Sequence, residues 1–291
     1  MTMTIVDDIG VPPADGRFTT SDGIEIPYRV RGEGPPLLLI HGWSQSGAMF
    51  RHQLDGLSDR FRVIVPDLRG QGEATKTFNG LRMARLAQDI AGLIDHLGLG
   101  RVHLLGWSMG ASLAWAYIDL FGTDRIDRLI LVDQPSMLTI LPDMDEAERI
   151  DCGAMFTLQQ LQELCTALES ATAEETRAAF VDGMVTPAIA PDLLAWIKAE
   201  NRRTPPAVAA RLLFSHCTND WRDVLPRIDR PTLVIGGSVS HVNPLSQRYV
   251  ASRIDGARYH EFGADEGGAH YPFLEAPAAF NRVVAGFLDQ H

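Results

Sequence analysis

Cysteine is scarce: the 291 residues hold three, Cys152, Cys165 and Cys217. An odd number with no metal-ligand spacing argues against a disulfide framework and a thiolate metal centre; reduced, semi-buried thiols in a cytosolic protein are expected. A catalytic cysteine is the sharper alternative, but none of the three sits in a nucleophile context. Basic residues are also few, with 26 Lys plus Arg against 37 Asp plus Glu and a formal charge of −11. Nucleic acid and anionic membrane surfaces both need a basic footprint, so neither is expected as a partner. Long apolar runs are missing; stretches such as Pro36 to Ile40 are far too short to span a bilayer. Met1 to Gly10 carries acids and no basic n-region followed by an apolar core, unlike a secretory signal. A cytoplasmic protein acting on a small molecule is expected, while oligomeric state has no signature. No repeat or low-complexity segment is visible.

Short apolar runs are what the chain does have. Arg17 to Thr20 and Ile24 to Val30 flank Ser21-Asp22-Gly23, a hairpin turn signal. Leu37 to Ile40, Val63 to Val65, Val102 to Leu105, Leu129 to Val132 and Leu233 to Ile235 then recur without in/out alternation. Such runs suit strands buried on both faces, in a mostly parallel sheet covered by helices. Met83, Leu86, Ile90, Leu93, Ile94 and Leu97 mark one helix face ending at Gly98, and Phe280, Val283, Val284 and Phe287 mark another after Pro277. From Leu138 to about Pro226 the strand signal disappears. Leu158, Leu161, Cys165 and Leu168 have helical spacing, and a second helix starts at Pro191-Asp192. The expected organisation is an α/β core, residues 17–137 and 227–291, with a helical lid, 138–226, inserted after the sixth strand. A detached helical domain fits less well, because the strand pattern resumes at Pro231 and no flexible linker marks either edge.

Gly106-Trp107-Ser108-Met109-Gly110 is the strongest chemical signal. It lies between the strand Val102 to Leu105 and the apolar helical run Ala111 to Phe121, the strand–turn–helix context of a nucleophile elbow. A tight turn needs small flanking residues, and the helix N-terminus favours developing negative charge. His41-Gly42-Trp43 follows the strand Leu37 to Ile40, where a small residue lets the loop aim a backbone N–H at the serine. The N–H groups of Trp43 and Met109 are the expected oxyanion hole. Trp43, Trp107, Met155 and Tyr271 are the expected pocket side chains, although the Trp43 ring fits packing beneath the lid equally well.

With Asp67-Leu68-Arg69-Gly70-Gln71-Gly72 added, the order and spacing of the motifs resemble the α/β-hydrolase superfamily. The likeness is greatest to small bacterial arylesterases and the cofactor-free haloperoxidase, or perhydrolase, group. It covers about residues 20 to 135 and 231 to 290. It implies that the Asp67 motif braces loops, and that Gln71, where histidine is frequent, is harmless. It also implies that His270, in Gly267-Gly268-Ala269-His270 with Tyr271, Pro272 and Glu275 following, is the catalytic base. His96, His103 and His260 lie on expected helices or strands and have structural explanations.

One departure is informative. Many relatives carry the triad acid after the penultimate strand, where this chain reads Gly237-Ser238-Val239-Ser240-His241-Val242-Asn243-Pro244 with no carboxylate. Ser240 stands in the acid's place. Asp133, ending the strand Leu129 to Val132, is the favoured replacement and keeps the order Ser108, Asp133, His270. Asp265 or Glu266 beside the histidine, or no acid at all, are the alternatives.

The resemblance implies a serine esterase working through an acyl-enzyme on a carboxylic ester, lactone or thioester, without a metal or organic cofactor. A serine at 108 argues against the dehalogenase and epoxide hydrolase branches, whose members use Asp there. Met144, Met155, Phe156, Met184 and Trp196 in the lid suggest an apolar acyl or leaving group. A lyase or cofactor-free oxygenase, with the His/Asp pair as base toward substrate, is one rival reading. A non-catalytic ligand-binding protein is the other.

Overall fold

A computed structural model describes residues 12–289, so the expectation for Met1 to Gly10 lies outside the described residues. Eight strands form one sheet: β1 (Gly16–Thr19), β2 (Glu25–Arg31), β3 (Pro36–Ile40), β4 (Arg62–Pro66), β5 (Val102–Trp107), β6 (Ile126–Val132), β7 (Thr232–Gly237) and β8 (Arg258–Phe262). Their order is β1-β2-β4-β3-β5-β6-β7-β8. β1 and β2 make the expected hairpin and β2 pairs antiparallel with β4; every other pairing is parallel. β5 continues two residues past the predicted Leu105, because Gly106 and Trp107 still pair with Leu131 and Val132.

The missing alternation has a direct structural cause. Along β3, Leu38 and Ile40 enter one core while Leu37 and Leu39 enter a second on the opposite face, all four fully buried. The helices are α1 (Arg51–Gly56), α2 (Met83–His96), α3 (Met109–Phe121), then α4 (Glu146–Cys152), α5 (Leu158–Leu168), α6 (Ala173–Asp182), α7 (Pro191–Arg202) and α8 (Pro206–Cys217), and finally α9 (Pro244–Ser252), α10 (Pro272–Glu275) and α11 (Pro277–Leu288). Leu86, Ile90 and Leu93 of α2 pack into the first core with Leu113 and Trp115 of α3. Leu54 of α1 and Phe280 and Val284 of α11 pack into the second. α2 stops as expected, with Gly98 at φ +61° just beyond it.

Five helices, α4 to α8, occupy the stretch between β6 and β7. Their starts are local: the Thr157 side chain and Gln160 form a capping box on α5, and Pro191 opens α7. This block extends both cores, Val208 and Leu212 of α8 joining the first and Trp196 and Ile197 of α7 the second. No helix among the described residues is long and apolar enough to cross a membrane.

Candidate active site

The centre is built at the carboxyl ends of β3, β5 and β6, where ligands of open α/β sheets bind. Ser108 follows β5 and caps α3 in a left-handed conformation, φ +54°. Its N–H donates to Val132 O at 2.9 Å, tying the turn to β6. The two flanking glycines are steric necessities. A Cβ on Gly106 would lie 2.3 Å from Gly110 O, and one on Gly110 would lie 2.2 Å from Ile40 O. The strained turn therefore exists because two backbones pass where side chains do not fit.

Asp133 lies one residue past β6, also left-handed at φ +50°, with its N–H donating to Ile235 O at 2.8 Å. Its Oδ2 is 2.7 Å from His270 Nδ1, a pair 137 positions apart in sequence. The same oxygen accepts the Ser240 hydroxyl at 2.5 Å. Ser240, which stands where many relatives carry an acid, thus hydrogen-bonds the carboxyl that faces His270. Asp265 and Glu266 are exposed, and Glu266 Oε2 accepts Gly263 N–H at 3.1 Å. Burial pushes the Asp133 carboxyl up, to about 7, against the opposing pulls of the neighbouring His241 and of the Ser240 hydrogen bond; burial also lowers His270. The His270 backbone is fixed on both sides, its O accepting Trp107 Nε1–H at 2.8 Å and its N–H donating to Met184 O at 3.0 Å.

On the other side of the serine lies the loop after β3. His41 Nε2 accepts Leu68 N–H at 2.9 Å, so Nδ1 carries the proton donated to Gly42 O at 2.8 Å. Burial lowers this imidazole to about 4, which keeps it neutral and structural. Asp67 accepts Gly47 N–H at 2.7 Å and Glu73 N–H at 2.6 Å. Gln71 does more than stand in harmlessly: its Oε1 accepts the N–H of Ser44, a residue at φ +54°, at 2.6 Å.

The helical block grips the same loop. Trp43 Nε1–H donates to Ala209 O at 2.7 Å, Ser44 Oγ–H to Asn201 O at 3.1 Å, and Ser46 Oγ–H to Glu200 at 2.5 Å. Arg177 donates to Ser44 Oγ at 3.0 Å and to Thr204 O at 2.8 Å. The N–H groups of Trp43 and Met109 donate to no acceptor among the described residues. They remain available to a ligand.

Ser108 and His270 line one cavity of about 40 Å³, with Trp43, Trp107, Met155 and Tyr271, the expected pocket residues, in its wall. That is room for roughly three waters or a short chain. Trp43 therefore both lines the cavity and packs beneath the block, its ring edge-on to Phe180. Of the five apolar block residues, Met155, Phe156 and Met184 face this space. Met144 and Trp196 do not. The Met144 sulfur accepts Leu141 N–H, and Trp196 is buried in the second core under the Arg51 guanidinium, because helical spacing does not say which wall a side chain meets. Cys217 also lines the cavity, but burial raises its thiol far above neutrality. Ser108 Oγ has no hydrogen-bond partner among the described residues.

Two lining histidines had no sequence signal, His216 at the end of α8 and His241 beside Ser240. The vacated acid position could have drawn attention to His241, whose ring sits edge-on to His270 with centroids 4.5 Å apart. Asp133, His241 and His270 could each offer an atom to a metal, with those atoms within 4.8 Å of one another. The short Asp133–His270 hydrogen bond occupies that set already.

A family profile described as the alpha/beta hydrolase fold matches residues 35–277. A soluble epoxide hydrolase of a Corynebacterium species is 37% identical over 112 residues, 38% of this chain and 39% of that protein. This chain thus matches well under half of that relative's length. A thermophilic esterase from Thermogutta terrifontis, solved with malate bound, is 26% identical with a TM-score of 0.79, over 94% of this chain and 97% of that one. A bromoperoxidase from Bacillus anthracis superposes with a TM-score of 0.85 over 94% and 100% of the two chains, at 22% identity, a likeness of fold alone.

Proposed function

Because the chain belongs to the alpha/beta hydrolase fold family and is an enzyme of that type, we propose that it is a serine hydrolase acting through Ser108. Its substrate is a small to medium, largely apolar carboxylic ester, lactone or thioester. The observation that carries this is the 2.7 Å His270–Asp133 pair opening on the cavity that Ser108 lines from its strained elbow.

His270 Nε2 takes the Ser108 proton as Oγ attacks the substrate carbonyl carbon. The carbonyl oxygen becomes an oxyanion, held by the free N–H groups of Trp43 and Met109. Asp133 stabilises the imidazolium, which then protonates the departing oxygen or sulfur. Water deprotonated by His270 attacks the acyl-Ser108, the acid leaves, and the proton returns to Oγ. Residues 138–226 act as the cap that walls the cavity. The small volume, with Met155, Phe156, Met184 and Phe180 in its wall, supports a short acyl or leaving group. Epoxide opening does not carry over from the Corynebacterium likeness, because position 108 is a serine and not a carboxylate.

One observation favours a second reading. Ser108 Oγ and His270 are not hydrogen-bonded, so the His270–Asp133 pair could take a proton from substrate directly, with Ser108 donating a hydrogen bond to it. Mass spectrometry after fluorophosphonate treatment of wild type, His270→Ala and Asp133→Asn separates the two. Single labelling at Ser108, abolished by the first change and strongly slowed by the second, is the expected result. No labelling of wild type would move the lyase or oxygenase reading ahead.

A further inference from the structure

His216 is the polar group of the cavity that the mechanism leaves unused. It sits in the last turn of α8, 5% exposed, and its Nδ1 has no hydrogen-bond partner among the described residues. Around it the wall is mostly apolar, Leu138, Phe156 and Leu213 included. Of the other polar side chains there, Gln134 Nε2–H donates to Pro135 O, and the partly exposed His241 packs its ring edge-on against His270. A helix C-terminus ordinarily favours a charged imidazole. Here burial and the neighbouring His270 prevail, and lower it to about 3. At neutral pH the ring therefore carries one N–H donor and one lone pair. An unpaired buried polar group is costly where leucine would pack freely, so its place in a ligand cavity is explained by a partner on the ligand.

We propose that His216 forms a second polar subsite, distinct from the oxyanion hole, that takes an uncharged oxygen of the substrate: a keto, hydroxyl or ether oxygen on the acyl or leaving group. This rests on the ester-hydrolase reading and narrows its substrate class from plain alkyl esters to oxygen-substituted ones.

The test uses p-nitrophenyl pentanoate and its 3-oxo and 4-oxo analogues with wild type, His216→Leu and His216→Gln. The preference for an oxo ester over pentanoate, as kcat/KM, is compared between proteins, which cancels the esters' intrinsic reactivity. At one oxo position the preference is expected to fall about tenfold in His216→Leu, the worth of one hydrogen bond, and to return in part in His216→Gln, which keeps a donor. Equal preferences in all three proteins would overturn the subsite. Calorimetric binding of the same esters to Ser108→Ala, with and without His216→Leu, supplies a readout that needs no turnover. If no ester is hydrolysed but oxo-dependent binding is lost with His216, the hydrolase reading fails and the subsite stands. If binding too is indifferent to the oxo group, the subsite is overturned.

Discussion

The two sides of Ser108 are held in different ways. On the base side, Asp133, Ser240 and His270 all follow core strands, and one backbone hydrogen bond, His270 N–H to Met184 O, reaches the helical block. On the oxyanion side, the loop after β3 is held by Gln71 from the core and by four hydrogen bonds to α6, α7 and α8. On the proposed serine-hydrolase reading, proton transfer would be a property of the sheet, whereas the position of the Trp43 N–H would depend on how the block is seated. Changes on the two sides should therefore differ in kind, the first altering pH dependence and the second altering kcat at constant pH dependence.

The largest effect is expected at Asp133. Asp133→Asn removes the charge that orients and stabilises the imidazole, and kcat is expected to fall by about 10³ to 10⁴. The direction of the pH shift is also fixed. Burial pushes the Asp133 carboxyl up to about 7, so wild-type activity is expected to rise with pH through about that value. The dyad gains and loses this proton as a unit. Without the carboxyl, the group left to titrate is an imidazole that burial holds low, so the residual activity should reach its plateau at lower pH. A pH–rate profile checks both; an unmoved acid limb would place that titration elsewhere.

On the oxyanion side the expected loss is smaller and its signature different. Arg177 is buried, forms no ion pair among the described residues, and meets the loop at Ser44. Arg177→Leu and Gln71→Leu each free Ser44 from one anchor, and displacement of an oxyanion donor is expected to lower kcat about tenfold to a hundredfold. KM and the acid limb should stay near wild type. Melting temperature separates positioning from general destabilisation: Arg177→Leu removes a buried guanidinium that has no ion-pair partner but leaves the Thr204 carbonyl without its donor, so only a modest loss of stability is expected. A drop in stability with full kcat in the surviving enzyme would break the comparison.

How much of this was legible in the sequence follows the same division. The strands of the core, the elbow and His270 are written locally, as runs of Val, Ile and Leu bounded by glycine and as a motif between strand and helix. The Asp133–His270 contact was legible by displacement, because position 240 lacked the expected carboxylate and β6 ends beside β5. The grip of Arg177, Asn201, Glu200 and Ala209 on residues 43 to 46 was not legible. It joins positions more than 130 residues apart, through backbone oxygens and isolated polar side chains that leave no periodic trace. His216 was hidden for a related reason, since one histidine in an apolar helix reads as packing. Trp196 erred in the other direction, a cavity candidate that packs in the core.

The finest distinction concerns Ser240. Its hydroxyl donates to the Asp133 oxygen that also faces His270, and so favours the ionised carboxyl. Ser240→Ala removes that bond without removing the charge, so at a pH well above neutrality kcat should fall less than tenfold. The carboxyl pKa must rise, since burial then acts with less opposition, and the acid limb is expected to move to higher pH. That direction is opposite to the one expected for Asp133→Asn. Profiles of the two variants moving the same way would mean that Ser240 merely fills the vacated acid position; opposite movements would make it the residue that lets a buried aspartate serve from the neighbouring strand.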